Sequence, residues 1–490
     1  MEPFGAKLTR HFAPLKSVIA LFLGFAAGFV ELRAAAQTQE VQTAAVETLS
    51  SASDASGAEL ATGPKTYRSR HVLLHTDVGD EPASELLKRL EATLGYASRY
   101  WRRPAKGMLE CYVAKHVDAW PADALPHPLA RLAISRIGGV TTTLPGLNRA
   151  KGSARPICYA RAEDGIPEHE IVHAYCLASF GRCGPTWYKE GMAELARLGG
   201  DRRPDVRCPA EYIEFFRTQP PRTIASIVHQ GETTAGISRS LREVASQLEQ
   251  ADQSQDALVH WTESHAEEVT KALDAYRWNW ALCHFLAHNE NYAREFRRLG
   301  RALLEGREAN FDATYADVQQ QMEFEFRQFV QHVDVGLRAD LCRWDWGTPC
   351  QKLRGSEECE KRILAHRGYQ ASGVALQAGA RYAYRCRNAA CAPRSQIGPK
   401  EQTTLGEYPL EAAILSDRQL GEPFILQRRG TFVANSTGPM YVRLHGKWTD
   451  IGDVRGAIHL VVGAAKLEDA ELIAREKPAE SIETPSVTTH

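Results

Sequence analysis

Apolar residues along the first half of the chain recur with two different periods. From His71 to Thr76 the spacing predicts a strand, and Ala83, Leu86, Leu87, Leu90, Leu94, Ala97 and Trp101 then mark one face of a helix. Leu109 to Ala114 reads as a second strand. Ile171, Val172, Ala174 and Tyr175 give the next segment a buried face, with Asp164 and Gly165 marking a helix start and Pro167 acceptable in its first turn. Thr186 can cap another helix, running to Gly199-Gly200, so a short hairpin joins the two. Between 201 and 275 a proline-bearing turn at Pro220-Pro221 precedes charged stretches that read as solvated helices. The segment from Tyr276 to His288 is strongly apolar and aromatic and predicts a packed helix, followed by helices around Tyr292 to Glu305 and Tyr315 to Val335. After Leu341 the character changes. Gly373-Val374-Ala375-Leu376, Tyr382-Ala383-Tyr384, Phe424-Ile425-Leu426 and Ile458-His459-Leu460-Val461-Val462 are short apolar runs broken by Gly, Pro and Asn, an all-β pattern.

The beginning of the chain fits neither pattern. Lys7, Arg10, His11 and Lys16 give a basic start, Ser17 to Val30 an apolar run and Ala34-Ala35-Ala36 a small-residue cleavage site, so residues 1–36 read as an export signal. The run of 14 residues is short of the about 20 that a membrane span needs, which favours a cleaved signal over a retained anchor. A secreted or periplasmic protein is expected, with an N-terminal membrane anchor as the alternative. Residues 37–66 are Ala, Thr, Ser, Gln and Glu without apolar period and read as a disordered linker.

Composition narrows the partners. The balance of 59 basic against 60 acidic side chains gives no reason to expect nucleic acid or an anionic membrane. In an exported chain some of the 11 cysteines should be disulfide-bonded, and the odd number leaves at least one free or paired with another chain. Cys111, Cys176 and Cys283 stand among apolar neighbours and read as small core residues.

The chemistry is concentrated in Pro167-Glu168-His169-Glu170-Ile171-Val172-His173-Ala174-Tyr175. Helical positions four apart lie one turn above each other, so His169 and His173 can turn their imidazoles toward one point, which suits a zinc ion. Glu170 is placed to take a proton from a water in an open coordination position. A rival pair with the same spacing, His284 and His288, lacks the carboxylate and a Glu-Gly partner and reads as part of a packed helix.

His169-Glu170-x-x-His173 followed by Trp187-x-x-Glu190-Gly191-x-Ala193 resembles the gluzincin zinc metallopeptidases. The resemblance implies that His169, His173 and Glu190 are the zinc ligands and Glu170 the general base. It makes the opening strands the small sheet beside the zinc helix, with Pro156 to Arg161 its last strand and the edge on which an extended peptide could pair. It also implies a tyrosine or histidine from a later helix near the oxyanion; Tyr276 is the candidate, with Tyr175, Tyr188 and His284 competing. Helical rise alone does not choose between Glu190 and Glu194. The family motif assigns Glu190 to the metal, and Glu194 is then placed behind a ligating histidine.

In the second half, Thr431-Phe432-Val433-Ala434, Tyr441-Val442-Arg443-Leu444, Gly456-Ala457-Ile458 and Leu376-Gln377-Ala378-Gly379 resemble the PA-IL-like galactophilic lectin sandwich. At the positions where that family holds calcium, this chain has His445-Gly446 and Asp453-Val454, so most of the oxygen ligands are absent. The expected fold is α+β: a gluzincin-like peptidase domain at 67–345 with a small mixed sheet and zinc-binding helices, a connector at 346–370, an all-β sandwich at 371–465 and a tail at 466–490. The expected activity is zinc-dependent hydrolysis of a peptide or protein substrate, with a surface glycan as a partner the sandwich could take. The alternatives are a non-catalytic surface or carbohydrate-binding protein on a degenerate peptidase scaffold, and a zinc hydrolase of non-peptide amides.

Overall fold

The structure, a computed structural model, describes residues 63–127, 130–145, 154–163, 165–199, 204–230, 266–393 and 408–464. The export signal, nearly all of the linker and the tail lie outside these residues. Helices and sheets are mixed, as an α+β chain requires. No helix among the described residues is long and apolar enough to cross a membrane. The chain divides into two compact units, the first made of Met1–Arg202, Arg222–His284 and Glu295–Ala316, the second of Arg203–Pro221, Phe285–Arg294 and Asp317–His490.

The first unit is built on a five-stranded mixed sheet. Its strands are β1 (Lys65–Arg68), β2 (Val72–Thr76), β3 (Leu109–Ala114), β4 (Gly139–Pro145) and β5 (Ala154–Arg161), in the order β1-β2-β3-β5-β4. β2, β3 and β5 are parallel, while β1 and β4 run antiparallel to their neighbours at the two ends. Helix α1 (Asp80–Tyr100) makes the crossover from β2 to β3, with Ala83, Leu86, Leu90, Leu94 and Ala97 buried on the face the spacing marks. Two expectations are corrected here. The linker ends earlier than residue 66, because Lys65 and Thr66 already pair with Thr76 and His75. Pro156 to Arg161 is not an edge, because β4 covers it, and the end of the sheet is β4.

Helix α2 (Ile166–Phe180) packs on β5, β4 and β3 and against α1 and α3 (Thr186–Gly199). It is buried nearly all round, from Pro167 to Cys176, which a helix in the centre of a unit must be. Trp187 and Tyr188 at the start of α3 anchor it: the Trp187 ring meets Phe311 edge-on at 5.4 Å, and the Tyr188 hydroxyl accepts from Trp101 Nε1 at 2.7 Å. Helix α4 (Ala266–His288) follows, its residues to His284 belonging to this unit, and then α5 (Ala293–Glu305).

Gly191 explains how α4 reaches α3. A Cβ there would stand 2.4 Å from the Asn279 carbonyl oxygen and 2.5 Å from Cys283 Sγ. Only a residue without a side chain lets the two helices touch at this point, and α4 thereby brings Tyr276, one turn before Asn279, to the same side as Glu190. Gly191→Ala is expected to destabilise the unit by about 1–3 kcal/mol through overpacking, seen as a lower melting temperature by circular dichroism; an unchanged melt would show that the helices separate freely.

In the second unit α6 (Gln319–Gln331) precedes two antiparallel sheets. One holds β6 (Glu358–Leu364), β8 (Arg381–Pro393), β12 (Arg429–Val433) and β14 (Val454–Ala464) in the order β12-β8-β14-β6. The other runs β10-β9-β13-β7, with β11 (Phe424–Leu426) also pairing β9; these are β7 (Gln370–Leu376), β9 (Leu410–Ser416), β10 (Gln419–Leu420) and β13 (Gly438–Leu444). Ile363, Tyr384, Ile458 and Leu460 from the first sheet share one buried core with Leu376, Ile414, Met440 and Val442 from the second, a sandwich-like arrangement. β6 lies inside the stretch 346–370 that the sequence pattern reads as a connector. At the lectin-like positions, His445 Nδ1 lies 3.2 Å from Glu411, which also pairs with Arg443 at 2.8 Å.

Candidate metal centre

The centre is assembled from α2, α3, β4 and α4. Helix α2 starts behind Gly165, whose left-handed φ of 87° and contact with the Arg197 side chain, which a Cβ would meet at 2.7 Å, both require glycine. Asp164, the other residue of the expected helix start, lies outside the described residues. The helix ends at Gly181, again left-handed, and the turn to Thr186 reverses the chain so that α3 lies against α2.

The hairpin sets three side chains face to face. His169 Nε2 and His173 Nε2 are 3.0 Å apart, and Glu190 Oε2 lies 3.2 Å from the first and 3.4 Å from the second. Donors held at about 2.0–2.1 Å on the corners of a tetrahedron are separated by about 3.3 Å, so this triangle has the edge length of a tetrahedral site. His169, His173 and Glu190 are 8, 7 and 0 % exposed, and they are the one group among the described residues that could hold a metal ion. Neither His284 nor His288 belongs to such a group.

Other side chains fix the triangle from behind. Glu194 Oε1 lies 2.8 Å from His169 Nδ1; when it accepts that N–H, the Nε2 lone pair is left facing the centre. Arg197 in turn holds Glu194 Oε2 at 2.8 Å, and Lys189 Nζ forms an ion pair with Glu190 Oε1 at 2.8 Å. The structure thus sets Glu190 within the triangle and Glu194 outside it.

Burial would favour neutral forms here, but charge outweighs it. Burial lowers the proton affinity of His173, yet Glu190 beside it raises the group to about 10. His169 is raised as well, against burial, by its hydrogen bonds to Glu190 and Glu194. Burial pushes the carboxyls up, but Lys189 and His173 keep Glu190 well below the usual range, and Arg197 and His169 bring Glu194 down to about 2. The carboxylates thus favour a positive charge at the imidazoles, so that a proton and a metal ion compete for their nitrogens.

Glu170 stands apart from the triangle. Thr141 Oγ1, on the end strand β4, lies 2.8 Å from Glu170 Oε2 and 2.8 Å from the Glu170 carbonyl oxygen. A Cβ at Gly139 would come within 2.9 Å of Glu170 Cγ and 3.1 Å of Oε1, so the missing side chain leaves room for the carboxylate. Tyr276 is brought in by α4. Its ring centroid is 6.0 Å from that of His169 and its hydroxyl hydrogen-bonds Glu190. Burial and the carboxylates of Glu190, Glu170 and Glu194 push the phenol well above its ordinary value, so it stays a donor. Tyr175 and Tyr188 are turned elsewhere: the first donates to the Arg103 carbonyl at 2.6 Å and the second accepts from Trp101. His284 sits against Trp280, ring centroids 5.4 Å apart.

Thr141, Gly139 and Lys189 were not among the residues expected from the motif. The run Val140-Thr141-Thr142-Thr143 between Gly138-Gly139 and Pro145-Gly146 carries a strand signal of β-branched residues bounded by turn formers, and it would have located β4.

No family model matches the chain, and no curated protein matches it. Among solved structures, the EclA N-terminal domain, a PllA-like lectin, is 18% identical over 22% of this chain and 95% of its own, with a TM-score of 0.16. A functionally unknown conserved protein mutant from Bacillus anthracis str. Ames is 12% identical over 25% of this chain and 27% of its own, with a TM-score of 0.15. IMPa from Pseudomonas aeruginosa in complex with an O-glycopeptide is 14% identical over 38% of this chain and 23% of its own, with a TM-score of 0.17. The chain spans less than a third of the latter two.

Proposed function

We propose that the chain is an exported zinc metallopeptidase of the gluzincin type. The observation that carries this reading is the buried triangle of His169, His173 and Glu190 with the Glu170 carboxylate beside it and outside it. Its donors and its 3.0–3.4 Å spacing fit zinc. When bound, zinc supplies a Lewis acid for the scissile carbonyl and lowers the pKa of a water.

The chain's own residues do the rest. Thr141 holds Glu170 Oε2, which leaves Oε1 above Gly139 to take the proton of the attacking water and return it to the leaving amine nitrogen. Tyr276, kept protonated, would turn its single O–H from Glu190 to the developing oxyanion, a contact of about 2.7–4 kcal/mol in well-placed cases. Glu194 holds the His169 ring in orientation. An extended peptide added along β4, at the end of the sheet, would present its backbone next to Glu170.

Incubating the full chain with a peptide library tests the reading. Cleavage that stops with a chelator and returns with zinc is expected; a zinc-loaded chain that cleaves no peptide would contradict it.

A further inference from the structure

All eleven cysteines are thiols in this structure, and one pair meets at the hairpin of the metal centre. Cys176 lies on α2, three residues after His173, and is 3 % exposed. Cys183 lies in the turn before α3 and is partly exposed. Two left-handed glycines flank it, Gly181 at φ 79° and Gly184 at φ 84°, and they fold the turn back over the end of α2. The Cys183 sulfur consequently donates to the His173 carbonyl at 3.6 Å, one turn of α2 before Cys176, and the two thiols are close enough to influence one another. The turn thus lays Cys183 against the turn of α2 that carries His173 and Cys176.

We propose that Cys176 and Cys183 form a disulfide that locks the turn between the two helices carrying His173 and Glu190. The two thiols give up two protons and two electrons to a disulfide oxidant such as oxidised glutathione; one S–S bond forms in the protein and the oxidant's S–S bond is reduced to two thiols. Access distinguishes this pair from Cys111 and Cys158, which face each other across β3 and β5 but are each 1 % exposed. Cys183 is partly exposed. The bond requires only the hairpin and stands whether or not the centre holds zinc.

Trypsin makes the test direct, because cleavage after Arg161, Arg182 and Lys189 separates the two cysteines into peptides 162–182 and 183–189. The full chain, equilibrated in a glutathione redox buffer of oxidising composition, is blocked with N-ethylmaleimide, digested without reduction and read by mass spectrometry. The expected result is the two peptides joined, about 2 Da lighter than the sum of the free dithiol pair, and released by reductant. Recovery of both as separate maleimide adducts, or of Cys183 linked to glutathione or to another cysteine, would overturn the proposal. Cys176→Ser should leave Cys183 alkylated in the same experiment, and a Cys183 still protected there would count against the pairing.

Discussion

Glu170→Gln should leave the metal in place and lower hydrolysis by roughly 100- to 10,000-fold, the usual contribution of a positioned general base. The amide keeps the shape of the carboxyl and can still accept from Thr141 Oγ1, which lies 2.8 Å from Oε2 in the parent, so α2 and β4 stay as they are. Glu170 is not part of the His169–His173–Glu190 triangle, so its substitution removes no donor. What is lost is the proton acceptor. Turnover and zinc per chain are measured side by side in the two proteins. Equal turnover would remove the proposed mechanism, and zinc bound by both with no hydrolysis by either would favour the scaffold reading.

Glu190→Ala is the second large effect. It removes one donor of three and leaves Lys189, 2.8 Å from Glu190 Oε1 in the parent, with its charge uncompensated at the same point. Zinc should be lost at concentrations where Glu194→Ala retains it. Glu194 reaches the centre only through His169 Nδ1 at 2.8 Å, and loss of such a supporting carboxylate costs about 10–100-fold in affinity. Zinc titration of the two variants decides between them; the reverse ranking would move the third donor to Glu194 and leave the peptidase proposal standing.

The sequence and the structure agree where the information is local. The recurrence of Leu86, Leu90 and Leu94 is enough to orient α1, and the four-residue step from His169 to His173 is enough to bring their Nε2 atoms to 3.0 Å. The choice between Glu190 and Glu194 is different in kind. Both are on α3, and helical rise does not say which one the turn at Gly181–Pro185 swings onto the imidazoles; packing decides it, through Trp187 and Tyr188 in the core and Gly191 against Asn279. Strand order was illegible for the same reason. That β4 lies outside β5 depends on pairing across the sheet, and Thr141 meets Glu170 across 29 residues of chain, a contact no local pattern contains. The β-runs after Leu341 predicted strands at the right places, while β6 escaped notice because Glu358–Leu364, at the end of its sheet, is mostly charged (Glu358, Glu360, Lys361 and Arg362) and carries no apolar run beyond Ile363-Leu364.

Zinc stoichiometry tests the central claim most directly. The full chain, purified without chelator and dialysed against metal-free buffer, is compared by elemental analysis with a His169→Ala, His173→Ala double variant that retains its circular dichroism spectrum. One zinc per parent chain and none in the variant is the predicted result; equal zinc in both, or none in a correctly folded parent that has been supplied with zinc, would contradict a metal centre at His169, His173 and Glu190.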